Sequence, residues 1–429
     1  MNKVNKKLTI LGTAIALLFG LNACNTESNE PAGPVIDPGD VVISDDQEHI
    51  IPGQYIVVFK NEYIPSGRST SPVFNDRAAK REFSAQRAAI VNKEIDVFLT
   101  SQGINSNRVI ARYESVFSGF AAKLTEAEVT ALEQNDKIER VEPDRMVYLE
   151  GTGKVVDMDL SGPVASRQED FLPCGVTLAG GVADGSSKNT WIWIVDSGID
   201  LDHEDLNVQT SSSYARSFVG GSADDCNGHG THVAGTAAAI DNGFGVVGVS
   251  AGATVVPVRV FGCSGGSPTS TIVSGINHVA ANDISGDVMN LSLGGFFGSG
   301  CSSGSSYRTA VQNVANGGTH VAIAAGNSAD NAAFYQPACI NGTRIYTVAA
   351  MDCNQNFASS YSNFGIGPVD WIATGTQVGS TYPNNRYVYN TGTSMACPHV
   401  AGILHQRNGA PRNGGTVSFG GSNYKIAIR

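Results

Sequence analysis

Six short apolar runs, Trp191–Val195, Ala253–Val260, Val288–Leu293, His320–Ala324, Ile345–Ala350 and Val369–Ala373, recur through the second half of the chain with helix-length stretches between them. Strands that alternate with helices in this way pair in parallel, because each helix carries the chain back across one face before the next strand begins. Runs that are apolar on both sides of the strand need cover on both faces of the sheet. The expected class for residues 151–429 is therefore α/β, a mainly parallel sheet with helices on both faces. Its chemistry belongs at the carboxyl ends of the strands. Fifty glycines and only 16% charged residues fit a turn-rich globular chain rather than a coiled coil or a disordered one. The net charge of −11 argues against a nucleic-acid partner, which would require a basic surface.

Upstream of that segment the character changes three times. Residues 1–24 read as an export signal: Lys3, Lys6 and Lys7 precede an apolar run, Leu8–Leu21, that is short for a bilayer span. Leu21-Asn22-Ala23-Cys24 resembles a bacterial lipobox, in which the cysteine is acylated; plain signal cleavage is the alternative. Residues 25–50 have the polar, Pro- and Gly-containing composition of a linker. Residues 51–150 then predict strand, helix, strand, strand, helix, strand, a small α+β domain of the ferredoxin-like kind. Its second helix opens at Thr125, with Glu128 three positions on as in a capping box. Past Glu150 only Lys154, Lys188 and Lys425 remain as lysines, which marks a domain boundary.

Three stretches place reactive residues where strands end or helices begin. Trp193-Ile194-Val195-Asp196 puts an acid directly after a buried strand. Asn227-Gly228-His229-Gly230-Thr231-His232 puts a histidine at the head of a small-residue helix, and no HExxH carboxylate accompanies it to suggest zinc. Gly392-Thr393-Ser394-Met395-Ala396 puts a serine in the positive first turn of an apolar helix. Each alone has an ordinary structural reading. Together they supply what a serine hydroxyl needs to act as a nucleophile: a base to take its proton and an acid to orient that base.

These blocks, with Pro398-His399-Val400-Ala401-Gly402 completing the last, are similar to the three signatures of the subtilases, in the order Asp, His, Ser. The similarity covers most of residues 51–150 and 185–405. It implies a serine endopeptidase with Asp196, His229 and Ser394 as its triad, and Asn327 of Ala324-Ala325-Gly326-Asn327 as oxyanion donor. The resemblance further implies a specificity pocket walled by Ser292, Leu293, Gly294 and Gly295 on one side and Ala324, Ala325 and Gly326 on the other. Ser264, Gly265 and Gly266 would pair with extended protein or peptide substrate. Residues 51–150 would be a propeptide that inhibits the enzyme and assists its folding. No cofactor is implied for catalysis. A structural calcium ion at Asp370 with the carbonyls of Thr343 and Ile345 is implied by the proteinase K-like branch, as are a Cys226–Cys263 disulfide and a cis Gln336-Pro337 bond. The protein is expected to be exported, anchored through Cys24 if at all, released on maturation and monomeric.

Seven cysteines follow Cys24, so at least one thiol is free, and Cys397 is the expected one because it sits on a buried helix. Thr374 stands where the family usually has proline. Residues 151–188 lack the family's familiar start, which leaves the maturation site open, and the last residues predict a terminal hairpin or sheet edge. A catalytically dead binding protein on the same fold would not need all four catalytic residues. An α/β-hydrolase esterase would need a Gly-x-Ser-x-Gly elbow, which these three blocks do not supply.

Overall fold

The computed structural model describes residues 49–64, 72–149, 155–158, 170–298, 301 and 305–429. The export signal, nearly all of the linker and, within the stretch where the maturation site was left open, residues 151–154 and 159–169 lie outside them.

The first domain has the predicted order: β1 (Ile50–Phe59), α1 (Arg77–Ser101), β2 (Val109–Tyr113), β3 (Gly119–Lys123), α2 (Glu126–Glu133) and β4 (Ile138–Tyr148). β1 lies between β3 and β4, antiparallel to both, and β2 pairs outside β3. The α2 capping box is present, with Thr125 accepting from Glu128 N–H and the Glu128 side chain accepting in return. Strand alternation splits β1 between two cores. Val57 and Phe59 pack with Val91, Ile95, Phe98 and Leu99 of α1, while Ile56 and Val58 face away and join a core of the larger domain.

That domain begins with the short β5 (Val156–Asp157) and α3 (Cys174–Leu178). Among the described residues its main sheet has nine strands, in the order Arg412–Phe419, Ser422–Ile428, Trp371–Thr374, Ile345–Met351, His320–Ala324, Val288–Leu291, Ile192–Asp196, Val255–Arg259 and Arg216–Ser217. All pairings are parallel except the first, an antiparallel terminal hairpin. The predicted hairpin and the predicted edge are thus one feature. All six apolar runs are strands of this sheet.

The strand Ile192–Asp196 shows why such a sequence folds this way. Ile192 and Ile194 pack in one core with α4 (His229–Ala238) and α7 (Thr393–Arg407). Trp193 and Val195 pack in the other with α5 (Thr269–Asn282) and α6 (Ser306–Asn316), and there Ile56 and Val58 of β1 also sit. Each such side chain removed from water contributes roughly 1.5–3 kcal/mol.

The polar part of the domain contact is placed on helix ends. Glu142 of β4 accepts from Ser306 N–H at 2.9 and 3.0 Å and from Ser306 Oγ at 2.9 Å, at the start of α6. Buried Asp144 accepts from Ser270 N–H at 3.0 Å, at the start of α5, and from Gln54 Nε2 at 2.6 Å. Both carboxylates satisfy amides that the helix itself leaves open, in the positive end of its dipole. Arg77 of α1 holds buried Asp287 with two bonds of 2.6 and 2.7 Å and stacks over Trp191 at 3.5 Å. Replacing Glu142 and Asp144 by alanine in the Ser394→Ala precursor should cost about 1–2 kcal/mol per cap and speed the digestion of residues 51–150 by added trypsin. Unchanged thermal unfolding and digestion rates would count against these caps.

Candidate active site

The carboxyl edge of the parallel sheet gathers the predicted residues. Asp196 closes its strand, His229 opens α4 and Ser394 lies in the first turn of α7. Gly230 lets the helix reach the strand: a Cβ there would lie 2.1 Å from Gly198 O and 3.1 Å from Asp196 Cβ. Across that contact His229 Nδ1 donates to Asp196 Oδ1 and Oδ2 at 2.9 and 3.0 Å. The other ring nitrogen, Nε2, is buried and has no hydrogen-bond partner. Ser394 Oγ donates instead to Ser292 O at 3.1 Å.

Burial acts against charge on His229, but the Asp196 carboxylate and its hydrogen bond, with the charge of Asp225, together outweigh it and raise the imidazole above its ordinary pKa. Asp225 was not singled out in the sequence. Its carboxylate accepts from the amides of Asn227, Gly228 and Thr231 and from the hydroxyls of Ser197 and Thr231, so it ties the start of α4 to the end of the Asp196 strand. Its signal was the Asp-x-Asn-Gly turn chemistry ahead of the histidine. His232 is structural: its Nε2 donates to Val378 O at 2.9 Å, and burial pushes its pKa down to about 3.

Around Ser394 a second network appears. Asn327 Oδ1 accepts from Thr393 N–H at 2.8 Å and Thr393 Oγ1 at 2.9 Å, and Thr393 Oγ1 accepts from Gly326 N–H at 3.0 Å. Cys397 Sγ donates to Asn290 Oδ1, Asn290 Nδ2 to Ser292 Oγ, and Ser292 Oγ to Ser394 O. Cys397 is the free, buried thiol expected, and its role here is to anchor the turn that carries the serine. Disulfides join Cys226–Cys263, as the resemblance implied, and also Cys174–Cys353 and Cys301–Cys339. Gln336-Pro337 is cis.

The cleft holds the end of the first domain. Residues Gly266–Pro268 pair antiparallel with β4, Gly266 opposite Tyr148, and Leu149 N–H donates to Gly265 O at 2.8 Å. Ser264 lies in the turn just before, and on the other side of β4 Gly294 bridges to Tyr148. Ser292–Gly295 and Ala324–Gly326 leave the carboxyl ends of neighbouring strands, whose last pair is Leu291 and Ile323. Asp370 is elsewhere, just before the amino end of its strand and so at the opposite edge of the sheet. Its Oδ2 accepts from Thr347 N–H at 2.9 Å, and burial raises its pKa. Among the described residues, no group of three or more His, Cys, Asp or Glu could hold a metal ion.

The family model described as subtilase family matches residues 187–410, and that of the peptidase inhibitor I9 matches residues 54–150. The chain belongs to the subtilase family. It is a subtilisin-like serine protease with an inhibitor domain ahead of it. This subtilase is similar to the extracellular serine proteinase of Thermus sp. (strain Rt41A), 31% identical over 388 residues that cover 90% of this chain and 86% of that one. It is 41% identical to subtilisin DY of Bacillus licheniformis over 219 residues, 50% of this chain and 74% of the relative. A solved cold-adapted subtilisin-like serine proteinase matches at 32% identity over 58% of this chain and 91% of its own, with a TM-score of 0.48. Among the described residues no helix is long and apolar enough to cross a membrane.

In the Ser394→Ala precursor, the ring protons of His229 should titrate by NMR with a midpoint above the usual 6.5, and Asp196→Asn should bring that midpoint down. An unchanged midpoint in the variant would remove Asp196 as the cause.

Proposed function

We propose that the subtilase is a self-maturing serine endopeptidase with Asp196, His229 and Ser394 as its triad. The reading is carried by His229, whose Nδ1 is held by a buried carboxylate while its buried Nε2 lacks a partner. An imidazole so held is a base waiting for a proton donor, and turning Ser394 Oγ from Ser292 O toward Nε2 supplies one.

His229 then takes the hydroxyl proton as Oγ attacks the scissile carbonyl carbon. The oxyanion so formed accepts hydrogen bonds from the Asn327 amide and from Ser394 N–H. Thr393 occupies Asn327 Oδ1, which fixes the orientation of that amide. His229 next passes its proton to the leaving nitrogen, the C–N bond breaks, and the acyl-enzyme is hydrolysed by a water that His229 deprotonates. Asp196 holds Nδ1 throughout and stabilises the imidazolium. Asn327→Ala should lower kcat about 10²–10³-fold, the range for one lost oxyanion donor in an enzyme of this family.

Extended substrate adds as a strand at Ser264–Gly266, a main-chain contact that favours broad selectivity. The small residues of Ser292–Gly295 and Ala324–Gly326 leave room for a bulky apolar side chain. In the precursor β4 takes the substrate's place, and the first cut falls past Leu149. If Cys24 is acylated, that cut also releases the catalytic domain from the membrane as a monomer. Asp370 and the carbonyls of Thr343 and Ile345 offer the hard oxygens that calcium prefers. An ion there would neutralise a carboxylate that burial disfavours and would take no part in cleavage. The test is expression of the chain beside Ser394→Ala: the first should mature and digest casein, the second should stay full-length and inactive. Equal processing of the two would overturn self-maturation.

A further inference from the structure

β5 lies antiparallel on the outer edge of the hairpin formed by Val378–Tyr382 and Arg386–Asn390, with Val156 opposite Tyr389 and Asp157 opposite Val388. Met158 N–H donates to Tyr387 O at 2.9 Å, and its side chain is buried in the core that holds α4 and α7. Gly379 makes room for it: a Cβ there would lie 2.8 Å from Met158 Sδ. The Arg386–Asp157 ion pair is exposed and adds little. The hairpin beneath is held to α4 by His232 Nε2 on Val378 O, Ser380 Oγ on His232 O and Thr381 Oγ1 on Thr231 O. β5 is thus fixed, through the hairpin, to the helix that begins with His229.

Val156 and Tyr389, paired across the strands, present their side chains to the same face. Both line a groove of about 1060 Å³ that also touches Asn327, Asp352, Tyr361 and Thr391. Leu149 lies on the acyl side of any bond cut past it, and β5 follows within a few residues. Chain direction therefore puts β5, and the groove that starts at Asn327, on the leaving side. Cutting the chain upstream of β5 does not free it, because Met158 remains buried and the strand remains paired.

The geometry points to β5 as a permanent part of the mature enzyme: a wall of the leaving-side groove in which Val156 selects apolar side chains in the leaving segment of an extended protein substrate. This rests on the protease reading above. The matured enzyme should begin at or before Val155. For a peptide with apolar residues on the leaving side, kcat/KM relative to that for a p-nitroanilide with the same acyl side should fall about tenfold in Val156→Asp. The ratio should be kept in Val156→Leu. An active enzyme whose ratio does not move in Val156→Asp, or a mature chain that begins after Met158, overturns this inference alone. A wild-type enzyme inactive on the p-nitroanilide overturns the protease reading and this inference with it.

Discussion

The structure depends on burying the Ile192–Asp196 strand on both faces at once. Two cores must form around it, and the residues that form them come from segments as far along the chain as Ala427. A contact set so distant in sequence assembles slowly, since chain entropy is lost before the packing compensates. The inhibitor domain brings Ile56 and Val58 to the second core and two carboxylates to the open amides of α5 and α6. The helices on that face thus receive both an apolar partner and an end cap from this domain.

The same burial sets the chemistry. A strand closed on both sides carries Asp196 into full burial, where its carboxylate is met by the His229 imidazole and by Ser197 N–H. Asp225 and the glycine at 230 then bring the head of α4 close enough for that bond. Ser394 is governed from another direction, through Asn290, Ser292 and Cys397 on one side and Asn327 with Thr393 on the other. His229 and Ser394 thus belong to separate hydrogen-bond networks.

Much of this was legible in the sequence because it was periodic or local. The apolar runs specified the sheet, Thr125 and Glu128 specified a helix start, and the blocks around Asp196, His229 and Ser394 pointed to the site. What escaped was tertiary. Glu142 and Asp144 look like ordinary strand acids until their partners at Ser306 and Ser270 are known. Asn290 lies in an apolar run that predicts burial but not a cysteine for a partner. Val156 and Asp157 form a strand only because a hairpin more than two hundred residues away offers an edge. The Cys174–Cys353 and Cys301–Cys339 pairings could not be chosen from spacing, which left the remaining connectivity open.

The disulfide between Cys174 and Cys353 spans 179 residues, and the other two bonds are nested inside that span. A protease lives among copies of itself, and its exposed turns are substrates for its neighbours. A single nick anywhere between those two cysteines leaves both pieces covalently joined, and one that falls past α4 leaves α4 on one piece and α7 on the other. Damage of that kind opens a loop without scattering the parts, so a nicked molecule can keep its architecture where an unbridged one would fall in two.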